Sequence, residues 1–156
     1  MVGVPLLIIT IVSAAAAWWF IVVRASGPIP HTFTKGIQYT LYYPTQLPAG
    51  YHVDPASFQR AGDVLIYSIK APGGRTVAVA EQTKPADAPV HDTSSKPVTL
   101  PGERSFDTTI GKAYISLWGS RYVSDITTPS GTWVILNVTG FTTDEAVKVT
   151  QSFTEL

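Results

Sequence analysis

Residues 110–139, IGKAYISLWGSRYVSDITTPSGTWVILNVT, decide the fold of this chain. Ile110 to Trp118 and Arg121 to Thr128 are strand-like runs joined by Gly119-Ser120, a two-residue connection with Gly at its first central position. Thr128-Pro129-Ser130-Gly131 then forms a second turn, with Pro at its first corner and Gly at its end, and Thr132 to Thr139 is the most apolar strand of all. Three sequential strands joined by tight turns predict an antiparallel meander.

The same signals extend toward the N-terminus. Asp63 to Lys70 and Arg75 to Gln82 alternate apolar residues, and Ala71-Pro72-Gly73-Gly74 between them is a hairpin turn. Ile37 to Tyr43 places Ile37, Tyr39, Leu41 and Tyr43 on one face and Gln38, Thr40 and Tyr42 on the other, predicting a half-buried strand that Pro44 ends. Leu47-Pro48-Ala49-Gly50-Tyr51 is a turn leading into a short extended piece, Tyr51 to Val53. On the C-terminal side, Gly140 breaks the last strand and Thr142-Thr143-Asp144-Glu145 reads as a capping box. Ala146, Val149 and Phe153 continue it as one apolar helical stripe, so the helix is expected to pack on the sheet through Phe153. Between the two strand groups, residues 83–102 carry four prolines and no helical period, predicting a long loop in which Val98 and Leu100 pair briefly at most. The expected fold is α+β: an antiparallel twisted sheet, a meander or half-barrel, with one C-terminal helix packed on it.

Val2 to Val23, VGVPLLIITIVSAAAAWWFIVV, has no charged side chain over 22 positions. At ~1.5 Å of rise per residue a helix of that length spans ~33 Å, just over the ~30 Å hydrocarbon core of a bilayer, and predicts an N-terminal transmembrane helix. Trp18 and Trp19 suit the membrane interface, and Arg24 can extend to the headgroups. A cleaved signal peptide fits less well, because the apolar run continues past Ala14–Ala17 and no basic segment precedes it. Domain boundaries are therefore expected at 1–25 for the anchor, 26–36 for a short extended tether and 37–156 for the domain. Arg24 taken alone places the C-terminal side in the cytoplasm. The short N-terminal flank and the Pro-, Thr- and Tyr-rich domain favour the opposite orientation, a single-pass cell-membrane protein with its C-terminal domain extracytoplasmic.

The chain carries 11 basic and 11 acidic residues, which implies no nucleic-acid or other polyanion partner. It has no cysteine, which removes thiolate metal sites, cysteine nucleophiles, iron-sulfur clusters and cysteine lipidation.

The run IQYTLYYPTQLPAGY (37–51), with Val64-Leu65-Ile66-Tyr67, Glu81-Gln82, Gly111-Lys112-Ala113-Tyr114 and a closing Ser152-Phe153 on a final helix, resembles a family of uncharacterised bacterial extracytoplasmic domains. In that family a strand and a proline lead into a Leu-Pro-x-Gly-Tyr turn. The resemblance implies a domain outside a single membrane span, similar to the outer part of anti-sigma-factor regulators and distantly to lipoprotein-carrier half-barrels. Only Met1 precedes the span here, so the expectation is a plain anchor and not a helix that joins two domains.

No catalytic constellation is legible. His31, His52 and His91 lie 21 and 39 residues apart and form no local ligand pair. Asp54, Asp63, Asp107 and Asp125 lack calcium-loop spacing and read as solvated turn residues. Thr93-Ser94-Ser95-Lys96 sits in the proline-rich loop, where a preorganised nucleophile is not expected. The expectation is a protein that is not an enzyme and takes no metal or cofactor. The aromatic content is the remaining lead: Tyr43, Tyr67, Trp118, Tyr122 and Trp133 all fall on predicted strands and could line a groove. The leading functional expectation is a membrane-anchored binding or sensing module of the cell envelope, with an envelope protein, peptide or lipid as partner. The alternative is a lipid or lipoprotein handling domain with an aromatic-lined groove.

Overall fold

The computed structural model describes residues 27–88 and 103–156. The expected anchor, its interface residues Trp18, Trp19 and Arg24, and most of the long loop, with His91, Val98 and Leu100, lie outside the described residues. Among the described residues no helix is long and apolar enough to cross a membrane.

The chain divides into two units, 1–35 and 36–156. In the described part of the first, His31–Thr34 forms a single helical turn, α1, where an extended tether was expected. Pro30 supplies the reason: its φ of −59° suits the residue that opens a helical turn, and its carbonyl accepts the Phe33 N–H at 2.9 Å.

The second unit is mostly antiparallel sheet with one C-terminal helix, an α+β arrangement. Its strands are β1 (Tyr42–Pro44), β2 (His52–Val53), β3 (Gln59–Ala61), β4 (Val64–Lys70), β5 (Thr76–Thr83), β6 (Arg104–Thr108), β7 (Gly111–Trp118), β8 (Arg121–Thr127), β9 (Thr132–Thr139) and β10 (Phe153–Glu155), with helix α2 (Thr143–Thr150) before the last. The main sheet runs β2-β4-β5-β9-β8-β7-β6, with β3 sharing the outer edge of β4 with β2. The predicted meander is present. β9 also pairs along β5, setting Val77 across from Val138 and Glu81 across from Val134, so the two strand groups fuse into one sheet. Positive φ at Gly119 alone in the Trp118–Arg121 connection is what a turn led by Gly requires.

Strand alternation sorts the side chains into two faces. Leu65, Tyr67 and Ile69, Val77 and Val79, Val134, Leu136 and Val138, with Ile115 and Ile126, share the inner face and are almost fully buried. α2 covers this face at β8: Ala146 and Val149 are buried, and Thr143 and Thr150 bond to Tyr122 and Ser124. The capping box forms as predicted, with the Thr142 hydroxyl accepting the Glu145 N–H and Glu145 accepting the Thr142 N–H at 2.9 Å.

Three expectations are corrected. Residues 37–41 are not strand; β1 covers only Tyr42–Pro44 and pairs with β10. The upstream residues are tied instead through side chains, the Tyr39 hydroxyl to the Glu81 carbonyl and the Thr132 hydroxyl to the Thr40 carbonyl. Phe153 is not on the helix: α2 ends at Thr150, the Ser152 N–H and hydroxyl both return to the Val149 carbonyl, and Phe153 opens β10. A helical spacing of seven is also met by a strand residue that re-enters the same core. Finally, the residues before β7 form a separate edge strand, β6, which is little buried and apart from Phe106 is polar.

Candidate functional site

The aromatic residues proposed for one groove lie on two faces. Tyr67 is buried on the inner face, stacked on Tyr43 with centroids 6.3 Å apart and tilted against Phe58 at 5.2 Å. Tyr122 is also inward, its hydroxyl accepting from Thr143 at 2.8 Å. Trp133 is on the outer face, where its indole N–H donates to Asp125 at 3.1 Å. Trp118, 52 % exposed, stands at the β7–β8 tip on the outer side with its indole N–H on Ser116. Tyr43, Tyr67 and Tyr122 therefore face one way, and Trp118 and Trp133 the other.

The described acids of the second unit do not gather into one site. Asp54 accepts the Ala56 N–H and lies 3.8 Å from the Lys70 ammonium, Asp63 lies 3.4 Å from Arg60, and Asp107 is exposed. His52 is exposed on β2 opposite Lys70. No group of three or more metal-ligating side chains occurs among the described residues.

The most unusual chemistry is at Glu81, a carboxyl with 0 % exposure on the inner face of β5. Its Oε2 accepts the Tyr42 backbone N–H at 3.0 Å and its Oε1 accepts the Tyr67 hydroxyl at 3.0 Å. Its own carbonyl accepts the Tyr39 hydroxyl at 2.7 Å. Burial pushes the Glu81 carboxyl up to about 7, even though the bonds from Tyr42 and Tyr67 favour its charged form. Burial and the adjacent carboxylate in turn hold the Tyr67 phenol well above its ordinary value, so it stays a donor. Tyr39 is raised to about 12, chiefly by burial. No salt bridge reaches Glu81 among the described residues.

Glu81 thus fastens the segment by which the chain enters the domain. Tyr42 also shares a hydroxyl contact with Ser130 at 3.0 Å, and Ser130 bonds onward to Thr128. At this end a cavity of about 520 Å³ is lined by Tyr42, Thr109, Ile110, Gly111, Pro129, Ser130, Thr154 and Glu155. Sequence reasoning passed over Glu81 as a site, although the signal was present: Val77, Val79 and Glu81 share one side of β5, so a buried Val77–Val79 face carries the carboxyl inward.

A second acid is displaced the other way. The Arg75 guanidinium makes a two-point contact with Glu145, 3.1 and 3.0 Å, and lies 4.4 Å over the Phe141 ring. With the Thr142 N–H, it holds the Glu145 carboxyl down to about 2. This cluster locks the β4–β5 turn to the start of α2.

Comparison of the chain with protein-family models, curated proteins and solved structures gives no match.

Proposed function

We propose that this protein is a non-enzymatic binding or sensing module, held outside the cell membrane by residues 2–23. The observation that carries this reading is the position of Glu81. This carboxyl, pushed up to about 7 by burial, is sealed from solvent and spent on holding the entry segment through Tyr42 and Tyr67. Such a group suits a domain that changes state better than one that transfers protons to a ligand. The apolar span, the short tether and the resemblance to extracytoplasmic domains supply the location.

The lipid-handling alternative draws on the same resemblance and needs an open apolar groove on the inner face. The side chains there are packed: Leu65, Tyr67, Leu136 and Phe153 are fully buried. That observation favours the binding and sensing reading.

Two measurements test it together. A topology reporter fused after Leu156 is expected to be active outside the cytoplasm, and native mass spectrometry of the detergent-extracted chain is expected to retain an envelope ligand or partner. A cytoplasmic reporter, or a bare chain that also captures nothing on crosslinking in cells, refutes the reading.

A further inference from the structure

We infer that Glu81 is a proton-controlled latch, whose charge state sets how firmly the entry strand β1 is docked on the sheet. The geometry carries the inference. Residues 39–42 approach β5, β9 and the turn before β9 through four side-chain bonds: Tyr39 to the Glu81 carbonyl, Tyr42 N–H to Oε2, Thr132 to the Thr40 carbonyl, and Tyr42 to Ser130. Backbone pairing of β1 is confined to three rungs with β10. The carboxyl at the centre of this short interface has no solvent and, among the described residues, no cation to pair with.

The groups around it are the Tyr67 phenol from β4 and the Tyr42 backbone N–H on the carboxyl, the Tyr39 phenol on the Glu81 backbone carbonyl, and Tyr43 through its stacking on Tyr67. Burial holds the Tyr67, Tyr39 and Tyr43 phenols above their ordinary value, so none of these three brings a charge. The residue opposite on β9 is Val134 and the one opposite on β4 is Leu65, neither titratable. Burying a charge here is therefore uncompensated except by the two hydrogen bonds. Lifting β1 removes the Tyr42 donor and lets water reach the carboxylate.

The sign follows from linkage. Docked, the carboxyl titrates at about 7; undocked and solvated, at its ordinary value of 4.5. A raised value in the docked state means docking is strongest below 4.5, weakens as pH rises through 4.5 to 7, and is constant above that. Between pH 6 and pH 8 the docking equilibrium is expected to weaken about tenfold.

This latch deepens the sensing reading, yet its test uses the purified full chain in detergent and reads strand docking alone. It can fail with topology and ligand capture intact, and they can fail without it. Amide hydrogen exchange is measured between pH 6 and 8 and corrected for intrinsic rates. Protection at the Tyr42, Thr45 and Leu156 amides, which bond across this interface, is expected to fall about tenfold relative to amides of β8 and β9. In Glu81→Gln the difference is expected to vanish. Constant relative protection in the native chain, or an equal fall in Glu81→Gln, overturns the latch. Tyr67→Phe is the second variant, useful if Glu81→Gln does not fold. Loss of a bond that favours the charged form is expected to move the midpoint to higher pH, and an unmoved midpoint overturns the latch.

Discussion

Replacing Thr150 by Val, Ser124 by Ala, and both together separates two kinds of contribution in the interface between α2 and β8. Thr150 Oγ1 lies 3.1 Å from Ser124 Oγ and 2.9 Å from the Ala146 carbonyl, and both residues are fully buried. Thr150→Val leaves the Ser124 hydroxyl in an apolar layer without its Thr150 partner. That costs ~1–3 kcal/mol, offset by less than ~1 kcal/mol from the added methyl, for a net loss of ~1–2 kcal/mol. Ser124→Ala leaves Thr150 the Ala146 carbonyl, so its expected loss is smaller, ~0.5–1 kcal/mol. The double variant leaves no orphan and is expected to fall within ~0.5 kcal/mol of the native chain. The coupling is thus ~1–3 kcal/mol, a measurable share of a stability of ~5–15 kcal/mol. Urea unfolding of a chain beginning at Gly27, followed by tryptophan fluorescence, reads all four corners of the cycle. Losses that simply add, with coupling below ~0.3 kcal/mol, would refute the claim that the hydroxyls are held only by each other and the helix.

Two glycines with positive φ make a controlled comparison in the same assay. A Cβ at Gly111 would meet the Thr127 carbonyl at 2.7 Å, whereas one at Gly119 meets open space, so Gly111→Ala is expected to cost ~2–4 kcal/mol and Gly119→Ala ~1 kcal/mol. Equal losses would mean the close approach at Gly111 is absent. Because the folded value of Glu145 is depressed, its contribution is present above 4.5 and is lost as pH falls toward 2. Glu145→Gln and Arg75→Gln should each flatten the acid limb of the stability curve, measured as the urea midpoint against pH. Phe153→Ala, removing a fully buried ring, is expected to cost ~3–5 kcal/mol, and a loss below ~1 kcal/mol would place Phe153 outside the core.

The parts of the fold legible in the sequence were those in which local pattern and tertiary contact ask for the same thing. β7, β8 and β9 alternate cleanly and are punctuated by Gly119 and Gly131, and the capping box at Thr142 announces α2. Misreadings arose where one local pattern serves two structures. Ile37 to Thr40 alternates like a strand, but its bonds run through hydroxyls to distant strands. Phe153 continues a helical stripe but returns to the core on an extended strand. Arg104 to Thr108 hides as an edge because Phe106 is its one apolar side chain and the alternation around it is polar on both sides. The candidate site was little legible: the expected groove joined aromatics that strand parity separates onto two faces, and only the register of β5 against β4 and β9 revealed that Glu81 meets Leu65 and Val134 with nothing to share its charge.

The pairing of β1 with β10 has a mechanical consequence. Tyr42, where β1 begins, lies opposite Glu155, and the next amide, Leu156, bonds to the Leu41 carbonyl. A pull applied between the N-terminal side of the domain and its last residue loads both strands from the same end. The rungs then open one after another, as in unzipping, and do not resist together as in shear. Tension would peel the C-terminus first, draw Phe153 from the core, and leave the fused sheet of β4, β5, β9 and β8 standing behind it.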